Sequence, residues 1–221
     1  RSTLFPYTTL FRSSIKVKLE LLAHLCDLSL EEDDYDLQWK CIDDYLKESR
    51  RQGNRSEECD ALWMRMIFFY NNDQSDSVYH YIQDDLKFIR ENGSREKYYD
   101  VWSCLVNTYV YGGSLSAGLK EAEKMYEDAK EAKNDFGTGL ACYVMGNAYY
   151  NMNNQDEASA VFQRGIDILM QQTPKPMVLA ELFTSECEVL EKQKRYTDME
   201  RLTVRWRGFL DKYLEENHIG K

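Results

Sequence analysis

One pattern, anchored on large side chains, returns about every forty residues along this chain. It reads Trp63-x-x-Met66-Ile67-x-x-Tyr70, then Trp102-x-x-Leu105-Val106-x-x-Tyr109, then Cys142-x-x-Met145-Gly146-x-x-Tyr149. A degenerate copy follows as Phe183-x-x-Glu186-Cys187-x-x-Leu190. The anchors Tyr70, Tyr109, Tyr149 and Leu190 stand 39, 40 and 41 residues apart. A period of this length marks stacked helical hairpins, each too small to bury its own apolar face and each completed by its neighbours. Arrays of this kind present long surfaces suited to binding other molecules.

Composition agrees with an all-helical chain. Three prolines and eleven glycines in 221 residues leave long uninterrupted segments. Sixteen tyrosines supply rings large enough to fill the space between neighbouring hairpins. The balance of 28 basic against 38 acidic residues, a net charge of -10, argues against a nucleic-acid backbone as partner. No apolar run approaches the roughly eighteen residues that span a bilayer. The six cysteines form no C-x-x-C pair and have no histidine at zinc-finger spacing. Cys104, Cys142 and Cys187 recur on the apolar faces of successive first helices, as small buried hydrophobes do. Buried free thiols suit a reducing or anaerobic setting.

Residues Thr3 to Ser13, TLFPYTTLFRS, look like the in-frame translation of a common sequencing-adapter oligonucleotide. Residues 1–14 are therefore expected to be a cloning scar outside the fold, with the natural N-terminus missing. From residue 15 onward the spacing predicts hairpins at about 15–53, 57–93, 95–133, 136–172 and 176–217. In the first, Leu19, Leu22, Ala23 and Cys26 share one face, and Trp39, Ile42, Tyr45 and Leu46 face inward from the second helix. Ser29 with Glu32 makes a capping box. Gln52-Gly53-Asn54, Asn92-Gly93, Gly112-Gly113, Asn153-Asn154 and Thr173-Pro174-Lys175-Pro176 supply the breaks. The expected fold class is all-α, a right-handed α-solenoid of about five hairpins with a period near 40.

Hairpin four resembles the tetratricopeptide repeat, through Met145-Gly146-x-x-Tyr149 followed by Ala158-x-x-x-Phe162. The resemblance implies that Gly146 and Ala158 let the two helices approach while Tyr149 and Phe162 fill the space around them. Trp63, Tyr70, Trp102, Leu105 and Tyr109 complete the packing set in earlier hairpins. Hairpin three has Val106 in place of the glycine, and the period exceeds the usual 34. The proline that often closes a repeat is absent apart from Pro174. Longer repeats of this kind resemble the N-terminal sensory arrays of Bacteroidota sensor histidine kinases, hybrid forms included. The stretches that carry this likeness are Tyr98-Tyr99-Asp100-Val101-Trp102, Glu121-Ala122-Glu123-Lys124-Met125-Tyr126 and Gly146-Asn147-Ala148-Tyr149-Tyr150. That resemblance implies a sensory input region in the periplasm, followed by a transmembrane helix and a cytoplasmic kinase. The other reading is a free-standing scaffold or adaptor in the cytoplasm. Protein–protein recognition is the immediate act in both.

No catalytic constellation assembles in the sequence. Asp135-Phe136-Gly137 imitates the kinase metal-binding triplet, but no His-Arg-Asp or phosphate loop accompanies it, and Asp is natural at a helix start. Gly112 to Gly118 lacks the Gly-Lys-Ser/Thr ending of a phosphate cradle and contains no Gly-x-Ser-x-Gly elbow. The acidic run from Glu31 to Asp36 has no central glycine, so it suits a helix start better than calcium. His24, His80 and His218 are scattered without a ligand set. The expectation is a non-enzyme with no cofactor and no metal.

Binding is expected in the concave groove that the first helices line in tetratricopeptide arrays. Offset from the packing anchors, Met64, Phe68 and Asn71 project there from hairpin two, and Ser103, Asn107 and Tyr111 from hairpin three. Tyr143, Asn147, Tyr150 and Asn151 do so from hairpin four. Asn107 and Asn147 correspond, and an asparagine amide can bond both groups of a peptide backbone. The groove lacks the Lys and Arg set that clamps a C-terminal carboxylate. It suits an extended or helical segment of another protein, or of the parent chain in a dimer.

Overall fold

The structure, a computed structural model, describes residues 17–26, 28–29, 34–171 and 176–217. The adapter-like segment, Glu32 of the expected capping box, Thr173 to Lys175 and His218 lie outside the described residues. Helix α1 covers 17–26. It is followed by α2 (Tyr35–Gln52), α3 (Arg55–Asn71), α4 (Ser75–Asn92), α5 (Arg95–Tyr111) and α6 (Leu115–Glu131). Then come α7 (Asp135–Asn151), α8 (Gln155–Gln171), α9 (Pro176–Lys192) and α10 (Tyr196–Glu216). The described residues form no strand.

The period is written in the helix ends. Asn54, Ser94 and Asn134 stand 40 residues apart, and each side chain accepts the backbone N–H three residues on, at 3.4, 3.3 and 2.7 Å. These bonds satisfy donors that a helix start leaves open. Within hairpins two to five the turn recurs as well. Asp73, Gly113, Asn153 and Lys194 all take a positive φ, between 55 and 81°. The residue after each donates back to the carbonyl five positions earlier, at 2.8–2.9 Å from Gln74, Ser114, Asn154 and Arg195. This is the Schellman closure, which needs one left-handed residue. The Ser29 hydroxyl donates to the Cys26 carbonyl at 2.7 Å. Asp34 caps α2, accepting from Leu37 N–H at 3.0 Å.

These ends correct the alignment of hairpin two. The first helices begin at Arg55, Arg95, Asp135 and Pro176, which are 40, 40 and 41 residues apart. Tyr109, Tyr149 and Leu190 therefore align with Phe69, whose carbonyl takes the turn bond, and not with Tyr70. The true copy in α3 is Leu62-x-x-Arg65-Met66-x-x-Phe69, and all four named side chains are buried, while Trp63, Ile67 and Tyr70 are half-exposed. The sequence offers two apolar readings one residue apart because Leu62-Trp63, Met66-Ile67 and Phe69-Tyr70 are adjacent pairs. The turn decides between them.

The chain divides into two compact units at Val101 and Trp102, within α5. In the first unit, Ile42, Tyr45 and Leu46 of α2 are buried with Leu62, Met66 and Phe69 of α3 and with Val78, Ile82 and Ile89 of α4. A buried ion pair joins α3 to α4: one Arg65 nitrogen donates to both Asp85 oxygens at 2.6 and 2.7 Å. In the second unit, Ala158, Phe162 and Ile166 of α8 pack with Leu179, Leu182 and Phe183 of α9 and with Leu202 of α10. Gly146 is what admits Phe162. A Cβ built at Gly146 lies 2.2 Å from the Phe162 ring, so any side chain there collides with it. Ala158 and Phe162 are fully buried and Trp102 and Leu105 are buried, whereas Tyr109 and Tyr149 keep partial exposure.

Candidate functional site

Within the second unit, α5, α7 and α9 each contribute one face to a shared surface. Tyr111 of α5 and Tyr143 of α7 meet Glu181 of α9 there, and Tyr150 of α7 meets Lys192. Asn107 and Ser103 lie one and two turns before Tyr111 on α5, and Asn147 and Asn151 one and two turns after Tyr143 on α7. Asn107 and Asn147 occupy the same repeat position and are 6 and 7% exposed. Asn107 Oδ1 has no donor. Asn147 Nδ2 stands beside the Tyr143 phenol without reaching hydrogen-bond geometry. A buried polar atom left open in this way costs about 1–3 kcal/mol, so two at equivalent positions call for an explanation. Asn151 is committed locally, with its amide on the Asn147 carbonyl at 2.8 Å.

Acidic side chains from α9 complete the surface. The Tyr143 hydroxyl donates to Glu181 Oε2 at 3.2 Å. Burial pushes the Tyr143 phenol up to about 12. Tyr111 is raised as well, first by burial and then by the negative charge of Glu181 and Glu188. Both tyrosines thus remain neutral donors beside two carboxylates. At the C-terminal end of α9, Lys192 Nζ lies 3.6 Å from the centre of the Tyr150 ring. Glu181, Glu188 and Lys192 are absent from the sequence-derived groove because hairpin five is the degenerate copy. Glu188 nonetheless sits 41 residues after Asn147, and that spacing could have found it.

In the first unit the expected groove residues behave differently. Met64 is half-buried and Asn71 exposed, while Phe68 is buried, with its ring 5.5 Å from Trp39 and 5.9 Å from Phe69. On the corrected alignment Trp63 and Ile67 take the positions of Ser103 and Asn107. Trp63, Met64, Ile67 and Phe68 line a cavity of about 80 Å³ together with Cys26, Gln38 and Ile42. That pocket is mostly apolar, its polar groups including the Gln38 amide and the Trp63 indole N–H.

The described residues hold no group of three or more His, Cys, Asp or Glu side chains able to bind a metal. Asp135 of the kinase-like triplet is the first residue of α7, behind its Asn134 cap. None of the six cysteines is in a disulfide, five of them are buried, and burial raises Cys142 to about 12 and Cys59 to about 11. Those two thiols stay protonated at neutral pH. No helix among the described residues is long and apolar enough to cross a membrane.

No protein-family model and no curated protein matches the chain. Solved structures do. BtubC (BKLC) from P. vanneervenii superimposes with a TM-score of 0.67 at 15% identity, over 90% of this chain and 82% of that one. The apo form of RapI gives 0.66 at 13% identity, over 91% of this chain and 73% of that one. TPR-like repeats of a Podosopora anserina kinesin light chain give 0.56 at 10% identity, over 92% and 97%. The fold is a tetratricopeptide-like α-solenoid. At such identities the likeness concerns the backbone. It shows the fold alone, and the chemistry of this array's surface has to be read from its own side chains.

Proposed function

We propose that this tetratricopeptide-like array recognises a protein segment, and that the segment is an extended basic one seated along α5, α7 and α9. The open amides of Asn107 and Asn147 carry this reading. One lacks a donor and the other an acceptor, and a peptide backbone supplies both. Glu181 and Glu188 beside Tyr111 and Tyr143 suit Lys or Arg side chains, which pair with carboxylates and lie on ring faces. The net charge of -10 attracts such a segment from a distance. Selection from a peptide display library tests this. Enrichment of Lys- or Arg-containing sequences that are lost on Asn107→Ala/Asn147→Ala supports the assignment, and enrichment of acidic sequences refutes it.

At the level of the parent protein, we propose that the array is the periplasmic input region of a two-component sensor histidine kinase. The likeness of residues 98–102, 121–126 and 146–150 to such arrays supports this. A free-standing cytoplasmic adaptor is the second reading, favoured by five buried cysteines outside any disulfide. The reading frame flanking this segment in its source genome separates the two. A secretion signal upstream with kinase motifs downstream establishes the sensor, and a short frame with neither leaves the adaptor.

A further inference from the structure

Hairpin five carries a buried carboxylate where its sisters carry core side chains. Glu186 of α9 is 1% exposed and holds the repeat position of Leu105 and Met145. Arg65 holds the same position in hairpin two, but there Asp85 neutralises it. Glu186 has no such counter-ion in contact. Its Oε1 accepts from Ser159 Oγ at 2.7 Å and from Gln163 Nε2 at 3.1 Å, both on α8. Its Oε2 is buried with no donor. A buried carboxylate left half-bonded is costly, and a donor brought by a ligand removes that cost.

Glu186 lies in the wall of a cavity of about 260 Å³ between α8, α9 and α10, which shares no residue with the groove described above. The volume is several times the roughly 30 Å³ that one water occupies in the liquid. Leu190 and Leu202 form its apolar part, and Arg195, Asp198, Arg201 and Arg205 its solvent-facing part. Asp198 takes Arg195 at 2.8 Å and Arg201 at 3.2 Å, and Arg205 reaches Asp167 of α8 at 2.6 Å. A guanidinium has five N–H donors, so Arg201 and Arg205 keep several for an incoming carboxylate. A simple anion meets the charges of Glu186 and Asp198, and a simple cation meets three guanidinium groups. A ligand with one charge of each sign meets neither obstacle.

We propose that this cavity binds a small zwitterion of the α-amino-acid class, its ammonium on Glu186 and its carboxylate on Arg201 and Arg205. The test is calorimetric titration and thermal melting of the intact chain with each standard amino acid. Methylamine, acetate and N-acetyl amino acids serve as single-charge controls. At least one amino acid raises Tm in proportion to the logarithm of its concentration, and the controls do not. Glu186→Gln weakens binding about ten- to hundredfold, the loss of one charge-assisted contact. Glu186→Met, which installs the side chain found at position 145, stays folded by circular dichroism and abolishes binding. The proposal is overturned if no amino acid binds at millimolar concentration, if binding survives both variants, or if N-acetyl amino acids bind equally well.

Discussion

Asp73, Gly113, Asn153 and Lys194 share one turn position, and all four backbones are left-handed there. Gly, Asn and Asp are residues that tolerate this region, so those three turns are legible in the sequence. Lys194 is not, because a lysine there costs about 1 kcal/mol and only its place in the repeat exposes it. Lys194→Gly is expected to leave stability unchanged or raise it by up to about 1 kcal/mol in urea melts, relief of strain being offset by unfolded-chain entropy. Gly113→Ala is expected to lower it by about 1 kcal/mol, purely through the backbone, since nothing lies within 4 Å of a Cβ there. Charged core positions give a second contrast. Arg65→Leu leaves Asp85 buried alone and is expected to cost about 3–5 kcal/mol. Arg65→Leu with Asp85→Met, the pair found at Leu105 and Met125, is expected to recover most of it. Glu186 adds a pH signature. Burial raises its carboxyl above the ordinary 4.5, so the folded state holds the proton more tightly than the unfolded one. Its contribution is fully present below the unfolded value and is lost as pH rises through the folded one. The Tm difference between Glu186→Gln and the wild type should therefore shift in favour of the variant from about pH 4 to about pH 7.

At the scale of helices, packing trades volume between partners. Hairpin four sets Gly146 of α7 against Phe162 of α8, while hairpin three holds Val106 and Ala122 at the equivalent places. Moving hairpin three's pair into hairpin four tests whether the repeats share one packing scheme. Phe162→Ala alone is expected to cost about 3–5 kcal/mol as a cavity. Gly146→Val alone forces the Phe162 ring aside and is expected to cost about 3 kcal/mol or more. The double variant is expected to fall short of their sum by about 1–3 kcal/mol, measured as a coupling energy in a double-mutant cycle. The hairpins themselves are legible because the period appears in apolar anchors, caps and turns alike. What the sequence leaves open is the phase within α3, where three adjacent pairs of large apolar residues satisfy either alignment. Backbone closure at Asp73 resolves it, and that information lies in hydrogen bonds and not in hydropathy.

For the molecule as a whole, fold and binding chemistry differ in how far the sequence reaches. Helical repetition follows from a pattern spread over many residues, so a single deviation such as Glu186 does not obscure it. The surface along α5, α7 and α9 depends on a few side chains, and Asn107, Asn147 and their tyrosines are found by offset from the anchors. Glu181, Glu188 and Lys192 escape that reasoning because their hairpin departs from the pattern. The same departure, an acid at a core position, is the visible trace of the cavity around Glu186. The measurement that bears most directly on the interaction reading is fluorescence anisotropy of labelled peptides, basic and acidic versions of one sequence, titrated with wild type and with Asn107→Ala/Asn147→Ala. The account predicts that the basic peptide binds, more weakly as salt screens the groove, and about tenfold or more weaker to the variant. Equal affinity for both peptides, or a variant that binds as the wild type does, would contradict it.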